Sequence, residues 1–346
     1  MGYRKEHTYN KMWLAGLMAV LCNLFIACTN DDGEDMDRVL GNELSMVSFT
    51  RSSLLMAVTE DYSPLGVFLV DGDGITPTQS GRFIYKSNEN IWRSKLEVTS
   101  NHNYAIYGYA PADAVVATIS NASLTGATLT FTNLPAVSSQ DICFVVGVQQ
   151  LETTATPKDI PMGSFSFLGK GQDQNYANLL MDHVYAAACF QMSIGADYAQ
   201  LRSIKIRKME LQTTNATATA TIVLASNTTG TSPVQSATYS NLLGTQSSAI
   251  FFDSTEGVEL DATTLTEATC CFVPTLGNSL KLVTTYDVYD KKGNKVSERT
   301  ATNALPNLNA ARGQRVKLAM TIAPTYLYQL SDDDLDNPKT TLTVGS

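Results

Sequence analysis

The chain has 346 residues, with 24 Lys and Arg against 33 Asp and Glu, a formal net charge of −9 at pH 7. An acidic surplus repels phosphate, and no basic run interleaved with aromatics occurs, so the sequence argues against nucleic acid as a partner. Only 16% of residues are charged, and Thr, Ser, Val and Tyr are frequent, a balance that favours strands over surface helices.

Residues 1–27 read as an export leader. Arg4, Lys5 and Lys11 supply the charged start, and Met12 to Ala27 form an apolar run. Its roughly 15 apolar residues fall short of the about 20 that span a membrane, so the segment is expected to be cut off. The run ends in Phe25-Ile26-Ala27-Cys28. A small residue before a cysteine is the pattern of bacterial lipoproteins, whose thiol is acylated, although Phe25 stands where an aliphatic residue is usual. Cys28 is therefore the expected lipid site, with the outer membrane as the expected location. Thr29-Asn30-Asp31-Asp32-Gly33-Glu34-Asp35 opens an acidic tether over residues 28–43 and is similar to short signals that send lipoproteins to the cell surface.

The remaining length suggests two domains, and apolar residues recurring at every second position predict an all-β class. In the first half, strands are expected at Leu44 to Phe49, Leu54 to Val58, Gly66 to Val70, Tyr104 to Tyr109, Thr128 to Phe131 and Ile142 to Val148. Turn-rich pieces separate them, at Asp71 to Pro77, Ser87 to Asn90 and Leu151 to Pro161. Polar residues Gly169 to Asn178 mark the expected boundary, with a new strand near His183. Val184, Ala186, Ala188, Phe190, Met192 and Ile194 form one apolar row, and Ala216, Ala218, Ala220, Ile222 and Leu224 form another. Between these rows, Ile204 and Ile206 fall out of phase with Met209 and Leu211, which predicts a bulge near Lys208. Leu282, Thr284, Tyr286 and Val288 lead through Asp290-Lys291-Lys292-Gly293-Asn294 to Val296, a hairpin in which glycine supplies the positive φ. Val316, Leu318, Met320 and Ile322 close the alternating series. The expected organisation is a first sandwich over 44–182, a second over 183–324 and a tail over 325–346.

Several segments together resemble the fimbrillin family. They are Pro64-Leu65-Gly66-Val67-Phe68, Tyr104-Ala105-Ile106-Tyr107-Gly108-Tyr109-Ala110-Pro111, Asp182-His183 and Leu201 to Leu211. Tyr286 to Asn294, Pro324 to Asp332 and Asp334-Leu335-Asp336-Asn337-Pro338 continue the likeness, which covers roughly residues 44 to 340 behind a lipoprotein leader. The resemblance implies two tandem transthyretin-like β-sandwich domains and a role as a structural or adhesive pilus subunit. It also implies maturation by an arginine-specific protease that removes the first strand, after which a strand of another subunit fills the groove. Burying four inward apolar side chains at about 1.5 to 3 kcal/mol each would contribute on the order of 6 to 12 kcal/mol before ordering costs.

On that template, Leu44, Met46 and Phe49 belong to the removed strand and Arg51 is the expected cleavage residue. Arg38 is its rival, but a cut there frees the lipid without opening a groove. The donor strand is expected in the tail, either at Tyr326, Tyr328 and Leu330 or at Leu342 and Val344. The alternative roles are a pilus anchor or accessory protein that keeps its lipid and first strand, and a surface lipoprotein that binds glycans.

No enzyme, cofactor or metal is expected. After leader removal only His102 and His183 remain, and neither stands in a metal-spaced or nucleophile-paired context, so His183 is expected as a packed or hydrogen-bonded residue. Asp332, Asp334 and Asp336 lack the glycine and glutamate of a calcium loop. Cys143, Cys189, Cys270 and Cys271 remain beside the lipid cysteine, and buried thiols are favoured over a bridge from Cys189 to Cys270 or Cys271.

Overall fold

The computed structural model describes residues 43–51, 63–72, 78–86, 91–98, 102–150, 158–160, 165–167, 176–225, 233–276, 279–305, 308–324, 336 and 338–344. Over 43–51, 91, 102, 149–150, 158–160, 165–167, 176–178 and 343–344 the description is of the backbone alone. The first twelve strands are β1 (Glu43–Arg51), β2 (Leu65–Asp71), β3 (Gln79–Lys86), β4 (Ile91–Glu97), β5 (His102–Ala110), β6 (Ala117–Ser123), β7 (Gly126–Pro135), β8 (Val137–Ser138), β9 (Cys143–Gln150), β10 (Lys158–Ile160), β11 (Phe165–Phe167) and β12 (Tyr176–His183). The rest are β13 (Ala186–Ile194), β14 (Ser203–Thr213), β15 (Thr217–Ala225), β16 (Val234–Leu243), β17 (Ser247–Glu259), β18 (Thr266–Phe272), β19 (Lys281–Tyr289), β20 (Lys295–Ala304), β21 (Arg315–Ala323) and β22 (Lys339–Val344). Two single 3-10 turns, Tyr198–Gln200 and Pro274–Leu276, are the helical elements among the described residues, so the all-β expectation holds.

Strand pairing arranges these elements in two ways. β9, β12, β1, β4, β3, β2 and β5 follow one another in a single sheet, and β5 also pairs with β9 through Tyr109↔Phe144 and Ala110↔Cys143. The sheet therefore closes on itself. Leu65, Val67 and Leu69 of β2, Tyr104 and Ile106 of β5, Cys143 and Val145 of β9, and Leu179 and Met181 of β12 share one buried interior with Phe83 and Trp92. The alternate residues of the same strands, such as Val70, Tyr107, Tyr109 and Phe144, join a second and larger core. A strand buried on both faces thus serves two cores at once.

That second core lies among three open sheets, ordered β22-β21-β13-β18-β8, β17-β14-β19-β20 and β16-β15-β7-β6. β7 pairs with β15 from Thr217↔Pro135 to Ala225↔Gly126, so the hairpin of β6 and β7, from the first half of the sequence, completes a sheet of the second half. Strand pairing therefore crosses residue 183. β12 ends at His183, and the chain passes through fully buried Val184 and Tyr185 into β13.

Local sequence signals account for much of this. Ala218, Ala220, Ile222 and Leu224 are buried and their neighbours half-exposed along β15, as period two requires. β14 shifts register between Ile206 and Lys208 against both β17 and β19, the bulge expected from the slipped phase. Gly293 has φ +82° in the β19–β20 turn, whose Asp290 side chain accepts hydrogen bonds from the backbone of Lys292 and Asn294. Gly66 meets a steric need, because a Cβ there would lie 2.5 Å from the ring of Tyr109 on the paired strand. One expectation changes: the piece from Leu151 to Pro161, read as a turn region, carries β10 at Lys158–Ile160. The strand expected at Leu54 to Val58 lies outside the described residues.

Phe131 is fully buried in the larger core and meets Tyr109 edge-on, ring centroids 5.9 Å apart. Phe131→Ala is expected to reduce stability by about 3 to 5 kcal/mol in urea unfolding; a loss under about 1 kcal/mol would mean that the cavity collapses.

Candidate functional site

The ring has one strand whose removal would open it next to the chain start, and that strand is β1. Its backbone runs parallel to β12, from Ser45↔Tyr176 to Arg51↔Met181, and antiparallel to β4, through Glu43↔Glu97, Ser45↔Arg93 and Met46↔Trp92. The register against β12 shifts between Met46 and Ser48, where the spacing of Leu44, Met46 and Phe49 also slips from two to three. Among the described residues no pairing joins β4 to β12 directly, so β1 is the seam between them. Arg51 is the last residue of this strand, not a residue beyond it, and the peptide bond after it leads out of the described residues. Cys28 and Arg38 lie outside the described residues.

The chain's other end is bound to the larger core. β22 pairs antiparallel with β21 from Ala323↔Lys339 to Leu318↔Val344, at the edge of its sheet. Leu342 of this strand packs half-buried against the core. Side chains from three other strands or their flanks fix its entry. Arg202 Nε donates to Asp336 Oδ1 at 2.9 Å, and Ser297 Oγ and Arg299 Nε donate to the Asp336 carbonyl. Tyr286 donates its hydroxyl to the Pro338 carbonyl at 2.9 Å, and Asn303 and Thr340 exchange two further bonds. Burial raises the pKa of the Tyr286 hydroxyl, with Arg299 acting against it, so the donor stays protonated across neutral pH. The Asp336 carboxylate is thus engaged by an arginine. Tyr326, Tyr328, Leu330, Asp332 and Asp334 lie outside the described residues.

His183 is buried and hydrogen-bonded, as expected, but its company was not foreseen. β9 and β12 are antiparallel with His183 opposite Cys143, and Asp141 stands two residues before Cys143. Asp141 Oδ2 lies 2.7 Å from His183 Nδ1 and 3.4 Å from Cys143 Sγ, while Cys143 Sγ lies 3.6 Å from Nδ1. The sequence carries this cluster only as Asp-x-Cys, with the aspartate just ahead of β9, and a histidine 40 residues after the cysteine. Knowing that β9 pairs with β12 is what unites them. Arg312 bounds the group, donating to the His183 carbonyl at 2.7 Å, with its guanidinium 5.2 Å from the Phe144 ring centroid.

All four cysteines outside residues 1–40 are buried and unbridged, which agrees with the thiol reading. Burial pushes the thiols of Cys270 and Cys271 well up from their ordinary value, so neither is a nucleophile at neutral pH. Trp92, the single tryptophan outside residues 1–27, is buried inside the ring and offers no exposed platform for a sugar.

No family model matches the chain, and no curated protein matches it in sequence. Among solved structures, it is similar to a candidate cell adhesion protein of Bacteroides ovatus, at 12% identity and a TM-score of 0.42, over 89% of this chain and 97% of that one. A fimbrial protein of Bacteroides vulgatus matches at 12% identity and a TM-score of 0.39, over 88% and 98%. The fimbrial anchor protein Mfa2 of Porphyromonas gingivalis matches at 11% identity and a TM-score of 0.30, over 88% and 95%.

Removing one of the tail's anchors tests its hold. Tyr286→Phe is expected to speed amide exchange of β22 by about fivefold, the equivalent of about 1 kcal/mol, and to leave β13 unchanged. Unaltered exchange in β22 would mean that the strand pairing alone retains the tail.

Proposed function

We propose that the chain is a surface pilus subunit, carried to the outer membrane by a lipid on Cys28, in which β1 is a removable strand. The observation that supports this reading is the place of β1, interior to a closed sheet and yet the first strand in chain order among the described residues. Cutting after Arg51 would detach that strand from everything behind it. β4 and β12 would then each present an unpaired edge, and the interior lined by Trp92, Leu179 and Met181 would meet water. A strand from another subunit relieves both costs by β-augmentation. Arg51 is paired to Met181, so the end of β1 must fray before an arginine-specific protease can take it. In this reading the partners are other pilus subunits and that protease, and no catalytic residue is needed.

A second reading, a lipid-retaining anchor or accessory subunit, is favoured by the tail. A C-terminal strand docked on its own sheet and held by side chains of Arg202, Tyr286, Ser297 and Arg299 suits a protein that receives a strand or ends a polymer.

Intact mass and N-terminal sequencing of protein sheared from cells separate the two. A chain starting at Ser52, with ladders that resist mild denaturant and vanish in Arg51→Ala, is expected for the polymerising subunit. A monomer still acylated at Cys28 and uncut at Arg51 would rule that role out and leave the anchor.

A further inference from the structure

We propose that Asp141, Cys143 and His183 form a three-donor site for a zinc-like divalent cation that fastens β9 to β12 inside the ring. Their donor atoms all lie within 4.8 Å of one another and all three residues are buried. The alternative use of such a trio, a nucleophile relay, places the thiol at one ring nitrogen and the carboxylate at the other. Here both converge on Nδ1. Convergence of three donors on one point is what a metal requires and what a relay cannot use.

The spacing fits. Zinc bonds of about 2.3 Å to sulfur and about 2.0 to 2.1 Å to nitrogen and oxygen, at tetrahedral angles, put sulfur about 3.5 Å from the other two donors and nitrogen about 3.3 Å from oxygen. The two sulfur separations here are 3.4 and 3.6 Å, and the nitrogen to oxygen separation is 2.7 Å. Only the last edge must open, by roughly 0.6 Å, as a hydrogen bond gives way to two metal bonds.

Charge and hydrogen bonding point the same way. Asp141 Oδ2 takes both contacts while its buried Oδ1 has no hydrogen-bond partner, a costly arrangement for a carboxylate shielded from water. A thiolate, a carboxylate and a neutral imidazole together balance one dication, so the loaded site adds no net charge to the core. Sulfur, nitrogen and one carboxylate oxygen suit zinc and exclude magnesium or calcium, which take oxygen sets. Cys143 and His183 sit opposite each other on adjacent strands, so the ion would bridge the sheet at the end of the β9–β12 ladder. This role does not depend on the pilus reading, because it joins strands on the side of β12 away from β1.

Buried ligands admit the ion during folding, so the test begins from unfolded protein. The full chain, unfolded with chelator and refolded in detergent with zinc, magnesium or chelator alone, is assayed for bound metal after gel filtration. One zinc per chain, no magnesium and a melting temperature that rises with zinc concentration are expected. Refolding with cobalt is expected to give a thiolate-to-cobalt charge-transfer band that Cys143→Ser abolishes. Asp141→Asn, which still accepts a hydrogen bond from His183, is expected to hold below about a tenth of an equivalent of zinc. Wild-type protein that refolds in zinc without binding it overturns the proposal, whether or not the variants fold. So does zinc retained at full stoichiometry by Asp141→Asn, or a cobalt band that survives Cys143→Ser.

Discussion

The closed sheet of the N-terminal half depends on backbone hydrogen bonding around a ring. A strand at a sheet edge leaves half its donors and acceptors to water, whereas a strand within a sheet has both sides used. β1 is of the second kind, with β12 on one side and β4 on the other. Its neighbours also bring side chains to the interior it closes: Trp92 and Leu96 from β4, Leu179 and Met181 from β12. Polar and apolar satisfaction are thereby tied to the same strand. The slot between β4 and β12 has one comfortable state, which is occupied, and the chemistry does not require the occupant to be the chain's own segment.

The strands that flank β1 have other partners as well. β12 is paired with β9 along its length and continues through Val184 and Tyr185 into β13, which lies between β18 and β21. Tyr185 donates its hydroxyl to the Pro135 carbonyl, tying this crossing to the end of β7, and Tyr239 donates to the carbonyl of Val184. The β6–β7 hairpin is locked into the sheet of β15 and β16. Loss of β1 would therefore expose a seam without freeing the strands on either side to drift.

Much of this fold is legible in the sequence wherever a strand buries a single face. β15 and β21 alternate, the slipped phase between Ile206 and Met209 marks a real bulge, and Asp290 to Asn294 marks a real hairpin. Edge strands are harder. β16 and β17 expose most of their residues, so no apolar period survives to be read. Closure of the ring, and the sheet shared by β7 and β15, are properties of distant pairing that no local window contains. The same limit hid the Asp141, Cys143 and His183 cluster, because its members are ordinary residues until β9 and β12 are laid side by side. Arg51 shows a smaller version of the problem: apolar spacing stops at Phe49, yet backbone pairing carries the strand two residues further.

The two ends of the chain differ in what they give up on leaving. β22 sits at a sheet edge, joined to β21 by six residue pairs from Leu318↔Val344 to Ala323↔Lys339, together with the side-chain bonds around Asp336 and Pro338. At about 1 kcal/mol net for an ordinary hydrogen bond, the side-chain bonds alone set a cost of several kcal/mol. The slot of β1 offers ladders on two sides and an apolar interior, so a tail moving from its own edge into a vacated slot of another copy exchanges one ladder for two. While β1 remains in place there is no slot, and the tail is better where it is. On the pilus reading this asymmetry orders the events: docking of the tail suppresses premature association, and only removal of β1 makes transfer favourable. The same asymmetry suits the anchor reading, in which an uncut β1 and a docked tail leave the monomer with no free energy to gain from exchange.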